Sequence, residues 1–272
     1  MAGAGAVIVL LREVEYAKPG SVAHALELLA ANDGARALAG GQTLINVMKA
    51  RAASPDMLVD LNGLEELRGI ELAGDGTLTI GAMTTYTELV QSAEAKARPI
   101  LGEVCATIAD VQVRNRGTIG GNVCSNDPTN HLPPLMVAVG ARMTIAGANR
   151  EREVPAEEFF LGVYLTAVGQ GELLTRISIP AGKKDGFAAV TLGAEGTCIC
   201  NAAASVNGAV RVALGCVDAV PVLVTADSAG GIADAVRAAN LMPPSDVHAS
   251  SEYRTHLAAV LARRAAEEAA AR

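Results

Sequence analysis

Apolar residues recur along this chain at two spacings, three to four apart and two apart, and each switch between them marks the end of one short element and the start of another. Residues 8–16 read as a first strand. Pro19-Gly20 turns the chain, and Ser21 can cap a helix whose apolar residues Val22, Ala25, Leu26 and Leu29 share one face. Asn32-Asp33-Gly34 stops that helix. Residues 35–39 then form a short apolar strand that runs into Gly40-Gly41 and a helix over 43–51, and 57–60 is a further strand. Residues 70–73 and 77–80 flank Gly74-Asp75-Gly76 as a hairpin.

Thr85-Tyr86-Thr87-Glu88 has the spacing of a capping box. A helix is predicted over 99–111, ending before Arg114-Asn115-Arg116-Gly117, and a second glycine turn follows at Thr118-Ile119-Gly120-Gly121-Asn122. A short helix over 133–139 and a strand over 142–146 lead to an acidic turn, Glu157-Glu158-Phe159-Phe160. A strand over 172–179 is closed by Pro180, and Pro180 to Asp185 is the predicted module boundary. Beyond it, strands over 187–192 and 205–217, the latter hinged by Asn207-Gly208 as a type I′ turn, precede two alanine-rich helices, the last starting near Ser251. At 272 residues the chain exceeds a usual single domain, so we expect lobes at 1–60 and 61–180 and a C-terminal domain at 181–272.

Composition adds a hint of assembly. Half the residues are apolar and 19% are charged, below the roughly 25% of an average soluble domain, which implies apolar surface covered by other chains. With 3% aromatics and no Trp, packing must come from small aliphatic side chains. A net charge of −7 without any Lys/Arg cluster argues against nucleic acid and anionic membrane as partners. Residues 6–11 lack the flanks of a signal peptide, and no apolar run nears the roughly 20 residues of a membrane span. Five scattered cysteines do not form a secreted disulfide framework, so a reducing, cytoplasmic setting is expected.

The candidate chemistry lies in the two glycine turns. Where a strand passes into a helix through Gly-Gly, consecutive amides can point into a concavity that favours an anion, and a pyrophosphate fits that description. Either turn alone is most simply chain geometry. Two of them, each beside a hydroxyl or amide residue, suit a dinucleotide, which needs a cradle made of more than one loop. Neither is the G-x-G-x-x-G fingerprint of NAD domains, and Walker A, H-E-x-x-H and C-x-x-C sequences are absent. Cys198-Ile199-Cys200, read as extended strand, would carry both thiols on one face and could bind metal or act in redox, though buried inert thiols are the simpler reading. His24, His248 and His256 read as surface or packing residues, so no catalytic or metal-ligating residue is assigned.

Ala39-Gly40-Gly41-Gln42-Thr43-Leu44 with Met48-Lys49-Ala50-Arg51, then Thr79-Ile80-Gly81-Ala82-Met83-Thr84-Thr85, then Arg114 to Asn122 together resemble the FAD-binding medium subunit of the molybdenum hydroxylases, the family of carbon monoxide dehydrogenase and the flavin domain of xanthine dehydrogenase. Phe159-Phe160 with Gly162-Val163-Tyr164, Gly171-Glu172-Leu173-Leu174 and Ser251-Glu252-Tyr253-Arg254 extend the resemblance over nearly the whole chain. It implies an α+β fold, a two-lobed FAD-binding domain of the vanillyl-alcohol-oxidase-like kind followed by a small C-terminal α+β domain. FAD would be held by Leu38, Ala39, Gly40, Gly41, Gln42, Thr43, Leu44 and Ile45, and by Thr118, Gly120, Gly121 and Asn122, with Ile108 and Leu174 against its rings and Ser125 and Asp127 within reach.

The resemblance further implies a molybdopterin-binding large subunit and a small subunit with two [2Fe-2S] clusters, often two copies of each of three subunits. Electrons would pass from those clusters to the flavin and on to an external acceptor, and no residue of this chain need act as acid or base. Two departures stand out. His131 occupies a place where relatives often carry Asp, leaving it as a possible flavin neighbour, and residues 191–201 lack the basic and aromatic residues common there. The rival expectations are a self-contained FAD-dependent oxidoreductase and a flavin-free assembly scaffold.

Overall fold

Ser21 caps the helix Val22–Ala31 by accepting the His24 amide, and Ala25, Leu26 and Leu29 bury the face that the spacing predicts. The computed structural model describes residues 11–193 and 196–272, so most of the leader and the start of the strand expected at 8–16 lie outside the described residues. What is described begins with β1 (Glu15–Ala17), β2 (Ala35–Leu38) and β3 (Met57–Asp60), a parallel sheet in the order β1-β3-β2. Parallel neighbours need crossovers. The helices Val22–Ala31 and Leu44–Lys49 supply them, the second ending before Arg51 takes φ 60°.

Next come β4 (Ile70–Leu72), β5 (Leu78–Gly81), β6 (Arg142–Gly147) and β7 (Arg150–Pro155), then the small hairpin β8 (Phe160–Gly162) and β9 (Leu165–Thr166), then β10 (Leu173–Ile179). Five of these make an antiparallel sheet ordered β4-β5-β10-β6-β7. The sheet packs against helices through Ile80, Leu101, Ile119, Leu135 and Ile177, all fully buried. Two expectations change here. The helix over 99–111 is two pieces, Ile100–Thr107 and Val111–Arg114, because Ala109 adopts φ 45° and Asp110 caps a new start by accepting the Val113 amide. The acidic turn is a short helix, Ala156–Phe159, running into β8, and its two phenylalanines are core residues packed edge to face at 5.2 Å.

The remaining strands, β11 (Asp185–Thr191), β12 (Cys198–Asn207), β13 (Ala209–Gly215) and β14 (Val222–Ala226), form an antiparallel meander. The Asn207-Gly208 turn is tighter than type I′. Gly208 alone takes a positive φ, 83°, while Asn207 stays in the ladder opposite Ala209. Thr191 pairs with Cys198 and Val190 with Cys200, which leaves Ile199 as a bulge. That extra residue breaks the period-two alternation. Cys198 turns toward Asn201 and Cys216, whereas Cys200 enters the core with Ala202 and Ala204, so the two thiols do not share a face. The helix Ser251–Ala271 lies across β11 and β12 through Ala258, Ala262, Ala265, Ala266 and Ala269, close enough that a Cβ on Gly186 would stand 2.1 Å from the Ala265 carbonyl oxygen.

Two buried arginines anchor these parts. Arg98, just before the helix Ile100–Thr107, donates to both carboxylate oxygens of Asp185 at 2.8 and 2.9 Å, to Ser205 Oγ at 3.1 Å and to the Pro180 carbonyl, with 4% and 1% of the two ionic side chains exposed. Near the C-terminus Arg254 donates to Asp246 at 2.6 Å. The Asp246 carboxyl is held down to about 2 by the His248 and Ala249 amides that it accepts, and further by Arg254. A depressed folded pKa adds stability above the ordinary value of 3.8 that is lost as the pH falls toward 2. The Asp246→Asn variant should therefore melt below the unsubstituted protein at pH 6, with the gap in Tm closing between pH 4 and 2.

Candidate functional site

The first glycine turn leaves β2 at its C-terminal end, where an open sheet with helical crossovers places its loops beside a crevice. Its carbonyls are held from below. Leu38 accepts from the Leu61 amide, Ala39 from Asn62 Nδ2 at 3.0 Å, Gly40 from Gln42 Nε2 at 3.2 Å, and Gln42 from Asn46 Nδ2 at 2.7 Å. Asn62 is itself fixed by Asp60, which also accepts from Tyr16. The amides of Gly40, Gly41, Gln42 and Thr43 find no acceptor among the described residues. Gly41, at φ 74°, provides the left-handed step that fans them out. Carbonyls bound behind and amides free in front make a cradle for an anion.

The second turn differs from expectation. The Ile119 and Gly120 amides donate to the Thr84 and Ala82 carbonyls, the Gly121 amide to Thr118 Oγ1 at 3.0 Å, and the Asn122 amide to the Thr118 carbonyl. These amides are spent on bracing. Gly120 is glycine because a Cβ there would stand 2.5 Å from the Ala82 carbonyl oxygen, so its role is backbone-to-backbone packing against the end of β5. Asn122 stays relevant by its side chain: Nδ2 donates to Tyr86 Oη at 2.9 Å, while Oδ1 is buried with no partner among the described residues. Tyr86 is buried too, its hydroxyl pushed well above the ordinary tyrosine range by loss of water.

The two turns abut. A Cβ on Gly40 would lie 2.1 Å from the Arg116 carbonyl oxygen, and one on Gly121 3.6 Å from Ala39 Cβ. Segments some eighty positions apart thus form one contiguous unit, with free amides from the first and Asn122 Oδ1 from the second. That donor and acceptor set fits a diphosphate and a polyol, the two parts of FAD between its rings.

The polar groups of the other expected residues are engaged. Ser125 donates to the Asn122 carbonyl and accepts from Asn130, and Asp127 accepts from Thr129 and, at 3.0 Å, from Tyr164. Ile108 is half-buried at the end of its helix, its carbonyl held by Arg114, and Leu174 is a core residue of β10 opposite Ile145. His131 does not join the turns. It packs beside Phe187 at 5.2 Å, its Nδ1 3.4 Å from Asn201 Nδ2, against the C-terminal sheet. Sequence reading missed Asn62 and Tyr86. A signal for Asn62 exists, a polar residue just past the C-terminal end of a parallel strand.

Comparison with known proteins identifies the family. Residues 12–182 match the family model described as the FAD binding domain in molybdopterin dehydrogenase. The chain is 38% identical over 284 residues to the carbon monoxide dehydrogenase medium chain of Afipia carboxidovorans, covering 95% of this chain and 97% of that one. It is 46% identical over 169 residues to the medium chain from Hydrogenophaga pseudoflava, spanning 61% of this chain and 58% of the relative. Among solved structures, carbon monoxide dehydrogenase from Hydrogenophaga pseudoflava superposes with a TM-score of 0.89 at 35% identity, covering 96% of this chain and 99% of that one. Quinoline 2-oxidoreductase from Pseudomonas putida 86 gives 0.89 at 32% identity, with 96% and 98% covered.

Proposed function

The chain belongs to the family of FAD-binding domains in molybdopterin dehydrogenases, and on that premise we propose that it is the flavin-carrying, electron-transferring subunit of a multi-subunit molybdenum hydroxylase. The observation that carries this reading is the junction of two sequence-distant turns into one unit of free amides and an unpartnered buried carbonyl oxygen. In this reading the amides of Gly40 to Thr43 hold the diphosphate, with Leu38, Ala39, Leu44 and Ile45 forming the rest of that loop. Asn122 Oδ1 accepts from a hydroxyl. Thr118, Gly120 and Gly121 fix the distance between the loops, Ser125 and Asp127 shape the rim, and Ile108 and Leu174 border the apolar end.

FAD, when bound, supplies a group that takes up and releases electrons, and the protein supplies its position. We infer that electrons arrive from iron–sulfur clusters of a small subunit, after substrate oxidation at molybdopterin on a large one, and leave to an external acceptor. The names of the relatives, medium chains of dehydrogenases, support such partners, as does the exposed apolar hairpin bearing Leu161, Val163 and Leu165. A dimer of heterotrimers is the assembly we propose. The modules are read as 1–60, 61–180 and 181–272, one main sheet falling in each. A cytoplasmic setting suits five unpaired cysteines, and no helix among the described residues is long and apolar enough to cross a membrane.

The test is an absorption spectrum of the purified protein with identification of the flavin released by acid. FAD near one per chain, with iron–sulfur absorbance from co-purifying partners, is expected. FAD without partners would favour a self-contained oxidoreductase, and absence of flavin would overturn the site. One variant probes the bracing. Asn62→Ala removes the donor that anchors the Ala39 carbonyl, and should weaken FAD binding about tenfold, or about 1.4 kcal/mol, in a fluorescence titration.

A further inference from the structure

The bulge at Ile199 has a chemical result. It turns Cys198 away from Cys200 and into a buried group that joins the C-terminal sheet to the helix Leu132–Ala138 through His131. Asn201 Nδ2 lies 3.4 Å from Cys198 Sγ and 3.9 Å from Cys216 Sγ, and Cys216 Sγ lies 3.6 Å from the Cys198 carbonyl oxygen. Asn201 is wholly buried and its Oδ1 has no partner among the described residues. Cys216 takes φ 65°, a left-handed conformation that costs a non-glycine residue about 1–2 kcal/mol. The register of Asn201 opposite Gly215 would set Cys216 against Cys200 if the ladder continued. The left-handed step takes it out of the ladder, with its sulfur beside Cys198.

We propose that Cys198 and Cys216, assisted by His131, are a redox-active dithiol that a small peroxide converts to a disulfide. The Cys198 thiol is held well below the usual range, first by a hydrogen bond from Cys216 and then by His131 and Asn201. The thiols of Cys105, Cys124 and Cys200 are pushed up to about 12 by burial. Reactivity follows the thiolate, so Cys198 is set apart from the other cysteines as the attacking sulfur, while Cys216 keeps its proton. Cys216 also lines a narrow crevice with Asp127, Asn130, Pro133 and Asp218, so the space bordering the pair suits only a small oxidant.

The balance is as follows. The Cys198 thiolate attacks one oxygen of hydrogen peroxide; an S–O bond forms, the O–O bond breaks, and the departing oxygen leaves as water with the proton that Cys198 released. Cys216 sulfur then displaces the second oxygen from the sulfenic acid, which leaves as water with the Cys216 proton. Two thiols lose two electrons in total, and the peroxide gains them.

The experiment treats the purified full-length protein, with its flavin, with hydrogen peroxide and follows it by non-reducing mass spectrometry. Loss of the mass of two hydrogens, a Cys198–Cys216 cross-linked peptide and full reversal by dithiothreitol are expected. In Cys216→Ser a sulfenic acid should be trapped by dimedone at Cys198. His131→Gln should slow oxidation at pH 7, since it removes one of the groups that lower the Cys198 thiol. Five alkylatable thiols after peroxide doses that oxidise free cysteine, or a disulfide through any other pair, would overturn the proposal.

Discussion

Replacing Arg98 with alanine lowers the stability of the protein by about 3–5 kcal/mol, because it strands the Asp185 carboxylate in a site where 1% of that side chain reaches water. The guanidinium also satisfies Ser205 Oγ and the Pro180 carbonyl, so one substitution unpairs acceptors at the entry to the C-terminal sheet and in β12. The drop should appear as a fall in Tm of roughly 6–20 °C, from about 2–4 °C per kcal/mol for a chain of this size. Arg98→Met combined with Asp185→Leu should recover most of the loss, since a buried pair replaced by apolar groups of similar volume costs little. If Arg98→Ala alone left the melting curve unmoved, the pair would not be the fastening described here.

The second large effect is at Gly40. A single methyl there would stand 2.1 Å from the Arg116 carbonyl oxygen, a backbone atom that cannot swing aside, so Gly40→Ala must push the two turns apart. FAD affinity should fall at least about a hundredfold, or about 2.7 kcal/mol, with the chain still folded. Gly140→Ala is the control. It has a left-handed φ, 67°, but nothing within 4 Å of the added carbon, so it should cost backbone energy and keep its flavin. Flavin content after gel filtration separates the cases. A fully loaded Gly40→Ala protein would mean that contact between the turns is dispensable.

Local patterns read from the sequence succeed where one side chain decides the outcome. Ser21 and Thr85 cap their helices as their spacing says, and β10 ends at Ile179, before Pro180. Failures came where two distant segments decide together. Nothing near Ala109 announces a left-handed residue, and nothing near Ile199 announces the bulge that separates Cys198 from Cys200. The site shows the same limit. Both glycine turns were visible as motifs, but only their packing reveals that Gly120 serves contact with Ala82 while the free amides lie at Gly40 to Thr43. Tyr86 was read for its place in a capping box; that its hydroxyl accepts from Asn122 depends on a contact across 36 residues.

A cofactor seated across the abutting turns would also act as a reversible cross-link. A covalent bond closing a loop of some eighty residues would reduce the freedom of the unfolded chain by about 4–5 kcal/mol. A bound ligand gives instead RT ln(1 + [L]/Kd), about 4 kcal/mol at a thousandfold excess over Kd and nothing once it is stripped away. The melting temperature of the protein should then track how much flavin a cell or a buffer provides. Chains made during flavin shortage would be the first to unfold.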